Sequence, residues 1–368
     1  MANREVYINA QKDGTPMITQ LTKILTDAVE KGASDLFVIA GFPISFKLNG
    51  VIVPQSDKKL QPSETQGLIK EMFALVSRDM EHYMCTGDDD FSVSLPAIGR
   101  FRVSAYKQRN SCAMVVRIVA FVLPDTSALH IPPAVMDLCR FSKGLVLVTG
   151  PANSGKSTTL ACMIDSMNHI RNCHIITIED PIEFLYKNDK CVISQREISQ
   201  DTESFAAALR YTLRQSPDII LLGEMRDYET ISTAITAAET GQLVLSTLHT
   251  VGAANTIDRI IDVFPTGLQQ QVRVQLAMSL QAVVSQQLVP TIDGALIPAF
   301  EILVVNSAVR SMIRECKTHQ IKNVIHSCAQ QGMITLEASL IALYEQGRIT
   351  KENAILYSDD TESMRSRL

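Results

Sequence analysis

Between residues 145 and 263 the chain alternates short apolar runs with segments whose apolar positions recur every three or four residues. The runs are 145–148, 175–178, 219–222 and 243–246, and the segments after them are 157–168, 202–215, 228–240 and 253–263. A run with almost no polar position suits a strand buried on both faces, and a helix after it returns the chain to start a parallel neighbour. The pattern predicts an α/β region whose parallel sheet carries helices on its faces, with ligands at the carboxyl edge of the strands.

The first third has a different rhythm. Ile18, Leu21, Ile24, Leu25 and Ala28 recur at helical spacing up to Gly32, and strand-like runs follow at 36–40, 44–48, 51–53, 91–95, 101–106 and 113–119. Residues 63–83 read as a helix between the third and fourth runs, which makes an α+β domain. Residues 1–17 are polar and read as a flexible tail, and 123–133, with three prolines, as a linker. Beyond Pro265 the chain reads as mainly helical, through 269–287, 307–314, 319–331 and 336–346. The expected organisation is a tail at 1–17, an α+β domain at 18–122, a linker at 123–133, an α/β core at 134–264 and a helical C-terminal region at 265–368 ending in a flexible tail.

Composition narrows the function classes. With 46% hydrophobic and 20% charged residues the chain resembles an ordinary soluble globular protein, and no apolar stretch approaches the ~18 residues that a membrane span needs. The polar N-terminal residues do not read as a secretory signal, so a cytoplasmic location is expected. A net charge of −5 argues against a nucleic-acid-coating role. The eight cysteines are scattered without the C-x₂-C spacing of a structural zinc site, and read as free thiols.

The candidate chemistry begins directly after the run at 145–148. Gly150, Pro151, Ala152, Asn153, Ser154, Gly155, Lys156, Ser157 and Thr158 form a phosphate-binding-loop pattern between a strand and a helix. Glycines let successive backbone N–H groups turn toward an anion at the positive end of a helix. Lys156 is placed to reach the β- and γ-phosphates of ATP, and the Ser157 hydroxyl to ligate Mg²⁺. Past the run at 175–178 stand Glu179, Asp180 and Glu183, which either serve water and Mg²⁺ beside the γ-phosphate or merely end a strand. Glu224 follows the run at 219–222 in the layout of a Walker B acid, able to orient Mg²⁺ or its water. His249, past the run at 243–246, suits either a γ-phosphate contact or a backbone-satisfied histidine. Arg100, Arg102 and Arg117 lie on strand-like runs, from which an arginine of a neighbouring domain or subunit could stabilise the transferring phosphoryl group.

Together these residues carry a resemblance spanning about residues 22–346. The phosphate loop, the segment from Ile178 to Phe184, Gln195-Arg196-Glu197-Ile198, Gly223-Glu224-Met225-Arg226-Asp227, Thr247-Leu248-His249-Thr250 and the segment from Ala308 to Glu315 are similar to motifs of the PilT-type retraction ATPases of type IV pili, in the secretion-ATPase superfamily. The resemblance implies a PAS-like N-terminal domain, a RecA-like ATPase core and a helical C-terminal region, assembled as a hexamer. It implies that Glu183, in the family's Asp box, helps activate the attacking water, that Glu224 is the Walker B acid and Mg²⁺ partner, and that Arg102 and Arg117 reach toward the nucleotide. His249 matches the second histidine of the family's His box. An inner-membrane pilus platform protein is the implied partner, with room for a second retraction ATPase, which sets the chain at the cytoplasmic face of the inner membrane.

Four positions depart from the family pattern. Gln242 replaces the first His-box histidine and cannot carry its charge, Ala152-Asn153 replaces Thr-Gly, and Ser216 stands where aspartate is usual. Asparagine is the side chain that best tolerates positive φ after glycine, so the loop is expected to keep its shape. The competing readings are a pilus-assembly or type II secretion ATPase, a non-catalytic nucleotide-binding ring subunit, and a kinase or DNA translocase. The first usually carries a tetracysteine motif, missing here; the second is disfavoured by the presence of Lys156, Glu183 and Glu224; the third is disfavoured by the acidic net charge.

Overall fold

The six strand-like runs of the first third become one antiparallel sheet. In the computed structural model, which describes residues 19–48, 50–95, 98–119 and 129–368, the chain divides into two compact units, 1–122 and 123–368. The expected tail at 1–17 and residues 123–128 of the expected linker lie outside the described residues. In the first unit, α1 (Gln20–Glu30) leads into β1 (Asp35–Val38), β2 (Pro43–Leu48) and β3 (Val51–Lys59). Then come α2 (Pro62–Leu75), α3 (Glu81–Thr86), β4 (Asp88–Leu95), β5 (Gly99–Gln108) and β6 (Ser111–Val119), with sheet order β3-β2-β1-β6-β5-β4.

Burial alternates along β4, where Phe91, Val93 and Leu95 face inward and the residues between them outward, as a half-covered antiparallel sheet requires. Leu21 and Leu25 of α1 and Leu68, Met72 and Phe73 of α2 cover the inner face. The expected helix over 63–83 is broken into two. Ser77 adopts a left-handed φ of 53°, and Arg78 turns into a bidentate pair with the buried Asp89, at 2.9 and 2.8 Å. A buried carboxylate needs such a partner, and satisfying it outweighs continuing the helix.

The second unit follows the α/β rhythm. Its elements are α4 (Pro133–Asp137), β7 (Gly144–Thr149), α5 (Lys156–Ile170), β8 (His174–Glu179), β9 (Val192–Glu197), α6 (Phe205–Thr212), β10 (Ile219–Leu222), α7 (Tyr228–Thr240), β11 (Leu243–Leu248), α8 (Ala253–Asp262), α9 (Thr266–Ser279), β12 (Leu280–Pro290) and β13 (Leu296–Val304). The order is β13-β12-β7-β11-β10-β8-β9, parallel throughout except for the β12–β13 hairpin. Every residue of β7, β10 and β11 is buried. Leu145 and Leu147 face one core together with Ile220 and Leu222, while Val146 and Val148 face the other with Ile219 and Leu221. That two-sided burial is why these runs lack polar positions.

The chain ends in α10 (Ser307–Arg314), α11 (Ile321–Ser327), α12 (Leu336–Glu345), α13 (Lys351–Leu356) and α14 (Thr361–Arg367). Two expectations are corrected. The helix expected over 269–287 stops at Ser279, because the following run pairs with β7 and extends the sheet. The C-terminal residues expected as a flexible tail form α14, whose Met364 is buried with Val289 of β12 and Leu340 of α12.

Candidate functional site

Parallel strands deliver their carboxyl ends to one edge, and there the loop between β7 and α5 lies against the ends of β8, β10 and β11. The loop starts at Gly150 with φ 139°, where a Cβ would stand 2.0 Å from the Gln286 carbonyl oxygen. It closes at Gly155, with φ 88°, immediately before α5. Asn153 takes φ 61°, the left-handed conformation expected of it. Lys156 is buried, and its Nζ donates to the carbonyl oxygens of Gly150 (3.0 Å) and Pro151 (2.7 Å). Burial lowers the pKa of its ammonium, while the charges of Glu183 and Glu224 oppose that shift. Ser157 is exposed on the first turn of α5, and the buried Ser154 Oγ has no hydrogen-bond partner. A glycine-made cradle with an orphan hydroxyl and a helix N-terminus fits a phosphate chain.

The acidic residues stand across the same cleft, a cavity of about 570 Å³ lined by Lys156, Glu179, Asp180, Glu183, Glu224 and His249 among others. Glu224 Oε2 accepts from Arg226 Nε at 2.6 Å, and His249 Nε2 lies 3.4 Å from the same oxygen. The segment from Asp180 to Tyr186 is gripped by β9: Ile182 N donates to Glu197 Oε2 (2.9 Å), and Gln195 bonds both Phe184 O (2.8 Å) and Tyr186 N (3.0 Å). Glu183 is exposed to the cleft, whereas Glu179 is buried under Thr177 Oγ1, which donates to it at 2.6 Å. Burial pushes the Glu179 carboxyl up to about 7, against the hydrogen bonds from Thr177 and Gln195.

With this geometry in place, the comparisons with known proteins are specific. The family model described as "Type II/IV secretion system protein" matches residues 10–362. The chain belongs to this family. Among its relatives, the type IV pilus retraction ATPase PilT of Pseudomonas aeruginosa is 43% identical over 335 residues, covering 91% of this chain and 96% of PilT. The type IV pilus ATPase PilU of the same organism is 41% identical over 349 residues, covering 94% and 90%. The crystal structure of the pilus retraction motor PilT with bound ADP superposes with a TM-score of 0.87 at 42% identity, covering 95% of this chain and 99% of that one. The protein is accordingly a PilT-type ATPase with the secretion-ATPase fold.

Two of the sequence-derived positions belong to the first unit, while the residues lining the cleft belong to the second. Arg102 of β5 and Arg117 of β6 stand opposite each other in register within the first unit, on the exposed face of its sheet. Like charges at that spacing repel, and Asp35 of β1 offsets this by accepting from Arg117 Nε at 3.1 Å. Gln242 immediately precedes β11, whereas His249 follows it, so about 20 Å of extended strand separates the two His-box positions. The Gln242 amide oxygen accepts from Thr240 Oγ1 at 2.9 Å.

Sequence reasoning undervalued three residues at the site. Glu179 stood out only as one of a group of carboxylates; its burial comes from strand packing that the sequence does not display. Arg226 was visible in Gly223-Glu224-Met225-Arg226-Asp227 without a role. Gln286 was hidden by the helical reading of 269–287. Among the described residues, no helix is long and apolar enough to cross a membrane.

Proposed function

We propose that this ATPase binds ATP with Mg²⁺ in the cleft and hydrolyses it to power retraction of a type IV pilus, and with it twitching motility. The convergence of the phosphate loop, Lys156, Glu183, Glu224 and His249 around one cavity carries this reading. Backbone N–H groups of residues 152–155 and the start of α5 hold the phosphates, and the Lys156 ammonium exchanges the Gly150 and Pro151 carbonyls for β- and γ-phosphate oxygens. Ser157 and, directly or through water, Glu224 are the residues that would hold Mg²⁺, which when bound supplies charge neutralisation across the β- and γ-phosphates.

Glu183, free at the cleft surface, aligns the attacking water and accepts its proton. Glu224 fixes that water's partner shell, and His249, in contact with Glu224, turns the loop after β11 toward the γ-phosphate. The motor works as a homohexamer in which Arg102 and Arg117 are drawn to the nucleotide before hydrolysis and released after it, so that domain rotation is the output. It acts at the cytoplasmic face of the inner membrane on a pilus platform protein, with the segment from Ala308 to Glu315, formed by α10 and the residue that caps it, near the partner-facing surface.

Steady-state phosphate release tests the enzyme reading. Lys156→Ala and Glu224→Gln should each reduce kcat by about 10²-fold or more, and a wild type no faster than Lys156→Ala in Mg²⁺ would sink it. The near-equal similarity to PilU favours one second reading, an accessory ATPase acting beside another retraction motor. Complementation separates the two. Rescue of retraction in a strain lacking its PilT-type motor supports the first, and rescue only in a strain lacking its PilU-type ATPase supports the second.

A further inference from the structure

Strand β12 touches both loops of the cleft through two adjacent residues. Side chains alternate along a strand, and here Val283 belongs to one core and Val284 to the other. Gln286 continues the face of Val284, toward α5. Its Oε1 accepts from Thr159 Oγ1 at 2.7 Å, with both residues buried. Its backbone oxygen is the atom that a Cβ on Gly150 would meet at 2.0 Å, and its Nε2 the atom that a Cβ on Gly155 would meet at 2.8 Å. Gln286 therefore backs both glycine ends of the phosphate loop while tying the loop's helix to the sheet.

Ser285 faces the opposite side and is also buried. Its Oγ accepts from Gly252 N at 2.9 Å, three residues beyond His249. Glu301, its register partner on β13, accepts from Ala253 N at 2.7 Å. Thr250 is held to Thr256 at 2.7 Å, and Ser285 is itself paired in register with Thr149, the residue before the phosphate loop. One short piece of β12 thus fixes the loop that would hold phosphates on one face and the loop that carries His249 on the other.

We propose that Gln286 and Ser285 are positioning residues of the ATPase, Gln286 for the nucleotide-binding loop and Ser285 for the His249 loop. The inference rests on nucleotide occupying this cleft. It makes adjacent residues differ in kinetic signature. Gln286 shapes a cradle that ground state and transition state share, so its loss raises KM and the ADP Kd together. Ser285 holds a loop that acts on the γ-phosphate, so its loss lowers kcat and spares ADP.

The full-length protein is compared with Gln286→Met, Thr159→Val, the double variant and Ser285→Ala, measuring ATP hydrolysis in Mg²⁺, ADP affinity by titration calorimetry and melting temperature. Gln286→Met is near-isosteric, and Thr159→Val deletes the same hydrogen bond from its other end. Each should raise KM and the ADP Kd about fivefold, the effect of one buried neutral hydrogen bond, with kcat within about twofold of wild type. The double variant should be no worse than either single one, because a shared bond is lost once. Ser285→Ala should lower kcat about fivefold with an unchanged ADP Kd. An unchanged ADP Kd in Gln286→Met, additive effects in the double variant, or the same profile for Ser285→Ala and Gln286→Met would overturn the proposal. A purely structural role would lower the melting temperature and the active fraction without this split. If wild type hydrolysed no ATP, the ATPase reading would fall, and the ADP titrations would still decide the role of Gln286.

Discussion

Replacing Glu179 by glutamine should make the protein more stable, and more so as the pH rises. The carboxyl is buried at the end of β8, its Oε1 accepting from Thr177 Oγ1 at 2.6 Å and from Gln195 Nε2 at 3.4 Å, and a glutamine oxygen can keep both bonds. Burial raises its folded-state pKa from 4.5 to about 7. In the unfolded chain it ionises near 4.5, so between these values the folded state holds the extra proton and stability falls with rising pH. Below pH 4.5 there is no penalty; above pH 7 it is complete, at roughly 3 kcal/mol. About 2 kcal/mol of it develops between pH 5.5 and pH 8. For a unit of this size, Glu179→Gln should gain about 6 °C in melting temperature over wild type across that interval. Scanning calorimetry without nucleotide at both pH values measures the gap. A gap that stays constant would show that the carboxyl titrates at its ordinary value and that its burial carries no electrostatic consequence.

Two further outcomes follow from the loop geometry. Asn153→Gly should leave the ADP Kd within about twofold, since φ 61° suits both residues, whereas the β-branched Asn153→Val should weaken binding about tenfold through ~1–2 kcal/mol of strain; a large effect of the glycine variant in calorimetry would give the asparagine side chain a role beyond its backbone. Gly150→Ala should abolish ATP turnover, because its Cβ would stand 2.0 Å from the Gln286 oxygen at φ 139°. Retention of half the wild-type kcat would contradict that close approach.

What the sequence made legible follows the burial of each element. The strands β7, β8, β10 and β11 are apolar on both faces, so their composition alone announces them, and with them the edge where Lys156, Glu183, Glu224 and His249 collect. The run Leu280–Pro290 carries alanine, leucine and three glutamines, all good helix formers, directly behind a true helix. Only pairing with β7, more than 130 residues earlier in the chain, makes it a strand, and no local pattern encodes a partner so distant. Gln286 was lost with it. β9 escaped for the opposite reason: Val192–Glu197 lies at the sheet edge, largely polar, yet Gln195 and Glu197 there hold the acidic segment in place.

The separation of Gln242 from His249 bears on what a side chain at position 242 can reach. β11 is buried along its whole length and hydrogen-bonded to β7 and β10 on its two sides, so it behaves as a stiff spacer between opposite margins of the sheet. A Gln242→His substitution would place an imidazole on the margin remote from the phosphate loop, beside Thr240. The substitution therefore leaves the polar groups around the cleft untouched. What it changes is the chemistry offered to anything that approaches the sheet from behind.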